Sequence, residues 1–385
     1  MKEIRILFIP NEALEKYEIL ENNRCLYPHL YFDPNWKIKR GIFLYKWKNN
    51  YVRKKWKFRY FSFKIKSKLI NLFYYIVKGI RIVKKFDLNV IRAYNPHIEW
   101  LAANIIGKLT KTKVVISVHN DFEYERNNIK KWKIFNLLTR LLENINYRLA
   151  DKIIVVSSYL KDNLINRGID SKKIEVIFNS FNISDYKVNY SYIEELKMKY
   201  NIKDDTFIFI NIWRLVEQKN HFNLIRAFAK LINKFPERDI RLFIIWDWYF
   251  KEKLQAMINS YKLGNRIRLL WLIRNDLIIN YLKVSKVFIF PSLYEGFWKV
   301  LVEAQIAWLP IISSDLPSVK DIIDSKNSIL IKDPNNVEEI FQKMEYIINN
   351  YDIIYKFNRN YNLNKFDYNV LAEKEYNLYM DLLDR

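Results

Sequence analysis

At 385 residues the chain exceeds the size to which a single core usually grows, which points to two or more domains. Half of it is hydrophobic and 16% is aromatic, which excludes an extended disordered chain, and a formal net charge of +23 makes anionic partners the first to consider. The single cysteine, Cys25, excludes an intrachain disulfide framework and a thiolate zinc site and fits a reducing compartment.

The chain opens with an apolar strand over Ile4 to Ile9, followed by acidic residues, and this run is too short for a signal-peptide core. No apolar run approaches the roughly 20 residues needed to cross a bilayer, so a soluble or peripheral protein is expected. Between Trp36 and Phe86 stand 17 Lys or Arg and no acidic residue, interleaved with aromatic and aliphatic side chains. Such stretches suit an anionic lipid surface, each basic residue contributing about 1 kcal/mol, with Lys54, Lys55, Lys57 and Arg59 as candidate contacts. A solvated basic face is the plain alternative. Nucleic acid is not expected, because no helix-turn-helix, zinc-finger or aromatic RNA-binding signature accompanies the charge.

Short apolar runs then alternate with helical patterns, the arrangement of parallel sheets covered by helices. The first series adds strands at Val90 to Arg92, Val114 to Val118, Lys152 to Val156 and Ile174 to Ile177 to the opening one. The second runs through Phe207 to Ile212, Arg241 to Ile245, Ile267 to Leu270, Val287 to Phe290, Pro310 to Ser313 and Ser328 to Ile331. The polar stretch Asn179 to Tyr200 reads as a linker between them. Two doubly wound, Rossmann-like α/β domains are therefore expected, over residues 1–182 and 183–358, with 359–385 as a further segment. Ligands in such sheets bind beyond the carboxyl ends of the strands, so two facing sheets would put a site in a cleft. His119 directly follows the strand ending at Val118, at such an end.

The strongest local signal is PSLYEGFWKVLVEAQIAWLP, residues 291–310, with two carboxylates eight positions apart, Glu295 and Glu303. A helix beginning near Phe297 would carry Glu303 and leave Glu295 in the loop before it. Free backbone N–H groups and the positive helix end make that loop a seat for an anion, and the carboxylates can accept hydrogen bonds from sugar hydroxyls. On its own the segment is equally a capped amphipathic helix.

In context, PSLYEGF with its E-x7-E pattern, INIWRLVEQKNHFNLIRAF upstream, and ADKIIVVSSYLKD and KIEVIFNSFN before the linker resemble the large group 1, or family four, of retaining glycosyltransferases. The resemblance covers about Val90 to Pro334. It implies the GT-B fold and transfer of a sugar from a UDP- or GDP-sugar to an acceptor hydroxyl with retention at the anomeric carbon. It makes Arg214 and Lys219 the grip on the donor diphosphate, Glu303 the contact to the ribose, and Glu295, with Gly296 and Phe297, the contact to the transferred sugar. Two cations five residues apart after a strand suit a leaving diphosphate, and a surface salt-bridge pair is the alternative. The resemblance also puts His119 at the sugar-facing site beside Glu295 as a catalytic residue, whereas Asp121 reads as a turn residue or acceptor-side contact. No cofactor is expected beyond the nucleotide sugar, and no metal, since no Asp-x-Asp triplet occurs in the chain. A glycan or lipid-linked acceptor and a cytoplasmic, peripheral place at the inner face of the plasma membrane are implied by the same comparison. Another GT-B enzyme, such as a sugar-nucleotide epimerase, or an inactive membrane-surface binding protein of this fold are the competing readings. The final segment is expected to pack back on the first domain as a helix.

The chain departs from that pattern at one kind of position. Where the family typically has glycine it has Trp213, Trp246, Trp248, Trp271, Trp298 and Trp308, and Trp100 looks similar. Only 6 glycines occur against 11 tryptophans, although glycine is about 7% of an average protein. Glycine permits positive φ and close backbone approach to phosphate, and tryptophan defeats both. Our hypothesis is that these tryptophans are UGA codons that the source organism reads as glycine. Reading the codons tests it, since UGG at those positions would make the tryptophans genuine.

Overall fold

The computed structural model describes residues 3–9, 38–46, 52–55, 58–63, 68–94, 97–123, 126, 133–212, 217–246, 251–271, 273–293, 299–323, 328–358 and 362–384. The chain divides into two compact units, Met1–Phe181 with Lys365–Arg385, and Asn182–Asn364.

The first unit is built on an eight-stranded sheet. In chain order its strands are β1 (Ile4–Ile9), β2 (Ile38–Lys46), β3 (Val52–Lys55), β4 (Phe58–Phe63), β5 (Val90–Ala93), β6 (Lys113–Val118), β7 (Lys152–Val155) and β8 (Ile174–Val176). They lie in the order β3-β4-β2-β1-β5-β6-β7-β8, all parallel except the β3–β4 pair. The continuous apolar run IRILFI explains β1, because a parallel strand is buried on both faces. The helices between strands are α1 (Lys68–Phe86), α2 (Ile98–Thr110), α3 (Lys133–Leu149) and α4 (Ser158–Asn166). Each returns the chain one way across the sheet, so right-handed crossovers put all four on one face with their N-termini at the carboxyl edge of the strands. Gly79 lets α1 close on α2, since a Cβ there would come within 2.4 Å of Ile106.

The second unit holds a six-stranded parallel sheet in the order β11-β10-β9-β12-β13-β14. Its strands are β9 (Phe207–Ile212), β10 (Ile240–Trp246), β11 (Ile267–Trp271), β12 (Val287–Phe290), β13 (Ile311–Ser314) and β14 (Ser328–Ile331). Its helices are α5 (Tyr190–Tyr200), α6 (His221–Lys234), α7 (Lys251–Ser260), α8 (Asn275–Lys283), α9 (Lys299–Ile306), α10 (Val337–Asn349) and α11 (Tyr351–Asn358). Leu224, Phe228 and Leu231 of α6 and Ile340, Met344 and Ile347 of α10 share one core with Leu242 and Ile244 of β10.

The last helix, α12 (Tyr368–Asp384), belongs to the first unit. Its Leu371, Leu378, Tyr379 and Leu382 cover the sheet face opposite α1 to α4, against Ile4, Ile6, Phe8, Val90 and Val115. The segment read as a linker is largely ordered into the second unit instead. Asn189 caps α5, its side chain accepting from the Tyr192 N–H, and Ile193 and Leu196 are buried. The basic segment after Trp36, read as a surface for lipid, contributes β2, β3 and β4, with β3 at the sheet edge. The side chains of Lys54, Lys55 and Arg59, and Lys57 altogether, lie outside what the structure describes.

Candidate functional site

In the second unit the strand order reverses at β9 and β12, the place where open α/β sheets bind ligands. The chain leaving β9 makes a short turn, Glu217–Lys219, and enters α6. Lys219 is 1% exposed, with Nζ 5.7 Å from the Phe290 ring centroid at the end of β12. The turn is tied to the loop that follows β12. The Ser292 hydroxyl donates to the Gln218 carbonyl at 3.1 Å, the Leu293 N–H donates to the same oxygen at 2.8 Å, and Asn220 Nδ2 donates to the Pro291 carbonyl at 3.1 Å. A cation is thus fixed at the switch point, against the loop that runs on to Glu295.

Beneath it, His221 is buried, and its Nε2 lies 3.1 Å from Asn211 Oδ1. Because Asn211 Nδ2 donates to the Ile289 carbonyl at 2.7 Å, its oxygen is the acceptor and the imidazole carries its proton on Nε2. Burial, and then Lys219, push His221 down to about 3, so it stays neutral under a positive neighbour.

Glu303 stands on α9 at 9% exposure. It accepts from the Tyr186 hydroxyl at 3.1 Å and faces Lys299 Nζ at 3.4 Å. Two donors hold the carboxylate in one orientation, a suitable acceptor for a pair of sugar hydroxyls. The described part of this helix starts at Lys299, and Arg214, Glu295, Gly296 and Phe297 lie outside the described residues.

In the first unit His119 follows β6 and stacks near Tyr94, ring centroids 6.1 Å apart. Both ring nitrogens are buried without a well-formed hydrogen bond among the described residues. Burial first, and the Arg92 charge second, lower it to about 4, with Glu375 and Asn179 opposing. A buried, neutral imidazole at this strand end can meet a hydroxyl.

Arg92 and Glu375 were not legible as part of this site. Arg92 sits in the middle of β5, 3% exposed, its Nε 3.5 Å from Glu375 of α12 and its guanidinium 4.9 Å from the Tyr94 ring. Burial opposes the charge, and Tyr379, Glu375 and Tyr94 outweigh it. The signal was a charge inside the buried strand VIRA, which needs a partner. Asp121 makes the bonds of a turn residue. It accepts from the Tyr159 hydroxyl at 2.5 Å and the Glu123 N–H at 3.1 Å, tying a turn to α4.

Of the tryptophans at expected glycine positions, Trp308 is the most informative. It has φ 66, and it follows α9 as the left-handed residue of a Schellman motif, in which Leu309 N–H bonds Ala304 O and Trp308 N–H bonds Gln305 O, both at 2.9 Å. That is glycine's conformation. Trp271 ends β11 and is 43% exposed. Trp100 behaves otherwise: it is fully buried on α2 against Phe122 and Tyr147, with centroids 6.0 and 5.5 Å away, and nothing there requires glycine. Trp213, Trp248, Trp298 and the side chain of Trp246 lie outside the described residues.

Residues 193–365 match the family described as glycosyl transferases group 1, and residues 44–185 match glycosyltransferase family 4. An uncharacterized glycosyltransferase of Methanocaldococcus jannaschii is 32% identical over 257 residues, which are 64% of this chain and 60% of that one. The alpha-monoglucosyldiacylglycerol synthase of Acholeplasma laidlawii is 26% identical over 333 residues, 82% of this chain and 81% of the synthase. The crystal structure of Anabaena Alr3699/HepE in complex with UDP superposes with a TM-score of 0.76 at 17% identity, covering 98% of this chain and 100% of that one.

Proposed function

Since the chain belongs to the glycosyl transferases group 1 family and has the GT-B fold, we propose that it transfers a sugar, with retention, from a nucleotide diphosphate sugar to a lipid-linked or polysaccharide acceptor in cell-surface glycan synthesis. The observation that carries this reading is the buried Lys219 at the switch point of the second sheet. A solvent-poor setting strengthens its attraction to the charge that develops on a departing diphosphate. In this reading the acceptor oxygen forms its bond to the anomeric carbon on the face from which the diphosphate leaves, and a diphosphate oxygen takes the acceptor proton. Lys219 and Arg214 stabilise the leaving group, Glu303 holds the ribose, Glu295 with Gly296 and Phe297 meets the sugar, and neutral His119 bonds a sugar hydroxyl. The UDP bound by the Anabaena neighbour supports a nucleotide donor, the glycolipid made by the Acholeplasma relative supports a lipid acceptor, and the lack of an Asp-x-Asp triplet supports chemistry without a metal. Action at the cytoplasmic membrane face, aided by the basic segment that holds Lys54, Lys55, Lys57 and Arg59, completes the proposal. Among the described residues no helix is long and apolar enough to cross a membrane.

The test is donor turnover with UDP- and GDP-sugars, with and without a chelator, on two versions of the chain. One carries the tryptophans as written, the other glycine at 213, 246, 248, 271, 298 and 308. The glycine version is expected to turn over donor in chelator and to yield the same anomeric configuration, and the tryptophan version to be weak or inactive. No turnover by either version with any nucleotide sugar would sink the transferase reading.

A further inference from the structure

Helix α3 is built inside out. At 3.6 residues per turn, Ile134, Leu137, Leu138, Leu141, Ile145 and Leu149 fall within an arc of about 120°. All six face outward, with exposures of 49% to 71%. The inward face carries Glu143, Asn146 and Tyr147. Those polar groups are satisfied within the unit. Glu143 is gripped by Arg126 and by Arg167, the latter at 3.3 Å, and Asn146 bonds the His97 carbonyl at 3.2 Å and the Asn104 side chain at 3.1 Å. A water-facing helix has the reverse arrangement, so hydrophobic burial within this unit does not account for the six outward side chains.

The charge left over on the helix is basic, although Arg140 is paired with Glu123 at 3.3 Å. The only carboxylate of α3 is Glu143, which is fully buried and paired, leaving Lys133, Arg140 and Arg148 on the helix, with Lys130 and Lys131 before it in sequence. Helix α1, which packs against α2, has no acidic residue, and its first turns expose Ile70 (57%) and Phe73 (69%). Two copies meeting through α3 would bring cations against cations. We infer that the outer face of α3 seats on an anionic lipid bilayer, its stripe entering the headgroup–acyl boundary while the flanking Lys and Arg meet lipid phosphates. The inference rests on α3 itself, not on the transferase reading.

Flotation of the full chain with phosphatidylglycerol–phosphatidylcholine vesicles tests it, alongside Leu137→Ser, Leu138→Ser and Leu141→Ser combined. Wild type is expected to float with anionic vesicles and poorly with pure phosphatidylcholine, and the triple variant to bind at least about tenfold more weakly while keeping its circular dichroism. Flotation of the variant like wild type, failure of wild type to float, or a wild-type dimer made monomeric by the variant with flotation unchanged each overturns the inference. Should the variant misfold, hydrogen exchange on wild type decides: vesicles must protect residues 133–149, and no protection there overturns it. A wild type that floats but turns over no donor fails as a transferase and leaves this inference standing.

Discussion

Lys219 holds a positive charge where solvent is largely excluded, and that setting sets the scale of its effect. Removing one preorganised group that stabilises developing charge costs about 10²- to 10³-fold in kcat, so Lys219→Ala is expected to lose that much donor turnover with a smaller change in KM. On the proposed reading of Glu303 as the ribose contact, Glu303→Gln should act the other way, raising the donor KM severalfold with kcat nearly kept, since such a contact serves ground and transition states alike. Motif and position singled out both residues, and His119, as candidates. Arg92 and Glu375 were not, because their pairing joins strand β5 to a helix at the far end of the chain, and no local pattern reports a contact of that separation.

At the scale of elements, every strand placed by alternating apolar runs appears within a residue or two, because buried parallel strands are written as such runs. The three strands between Ile38 and Phe63 were missed because basic residues interrupt their apolar runs. The cap at α9 carries a prediction of its own. Trp308 bears left-handed strain of about 1 to 2 kcal/mol, partly offset by Lys283, whose Nζ lies 3.9 Å from the ring centroid. Trp308→Gly should raise stability by about 1 kcal/mol in urea unfolding, whereas Trp308→Ala, which keeps the strain and loses the cation–π contact, should lower it. A destabilised glycine variant would show that the site does not favour glycine.

For the whole molecule, each unit buries one neutral histidine. His119 falls from 6.5 to about 4 and His221 to about 3, so below pH 6.5 the unfolded chain takes up protons that the folded one refuses. The stability involved is complete above pH 6.5 and is lost as pH falls, toward 4 for the first unit and toward 3 for the second. Between pH 7.5 and 5, wild type should lose on the order of 2 to 4 kcal/mol more than the double variant His119→Asn, His221→Asn in urea titrations. Equal losses would mean that neither histidine stays neutral in the fold.

The first unit is assembled from both ends of the chain, Met1–Phe181 and Lys365–Arg385, and this imposes an order on synthesis. As the polypeptide leaves the ribosome, the eight-stranded sheet emerges long before α12, which covers one of its faces and carries Glu375, the carboxylate paired with Arg92. The second unit, continuous from Asn182 to Asn364, can finish first. Until the last 20 or so residues arrive, the earlier-made half waits with an apolar face bare and a buried cation uncompensated, the state a chaperone would hold.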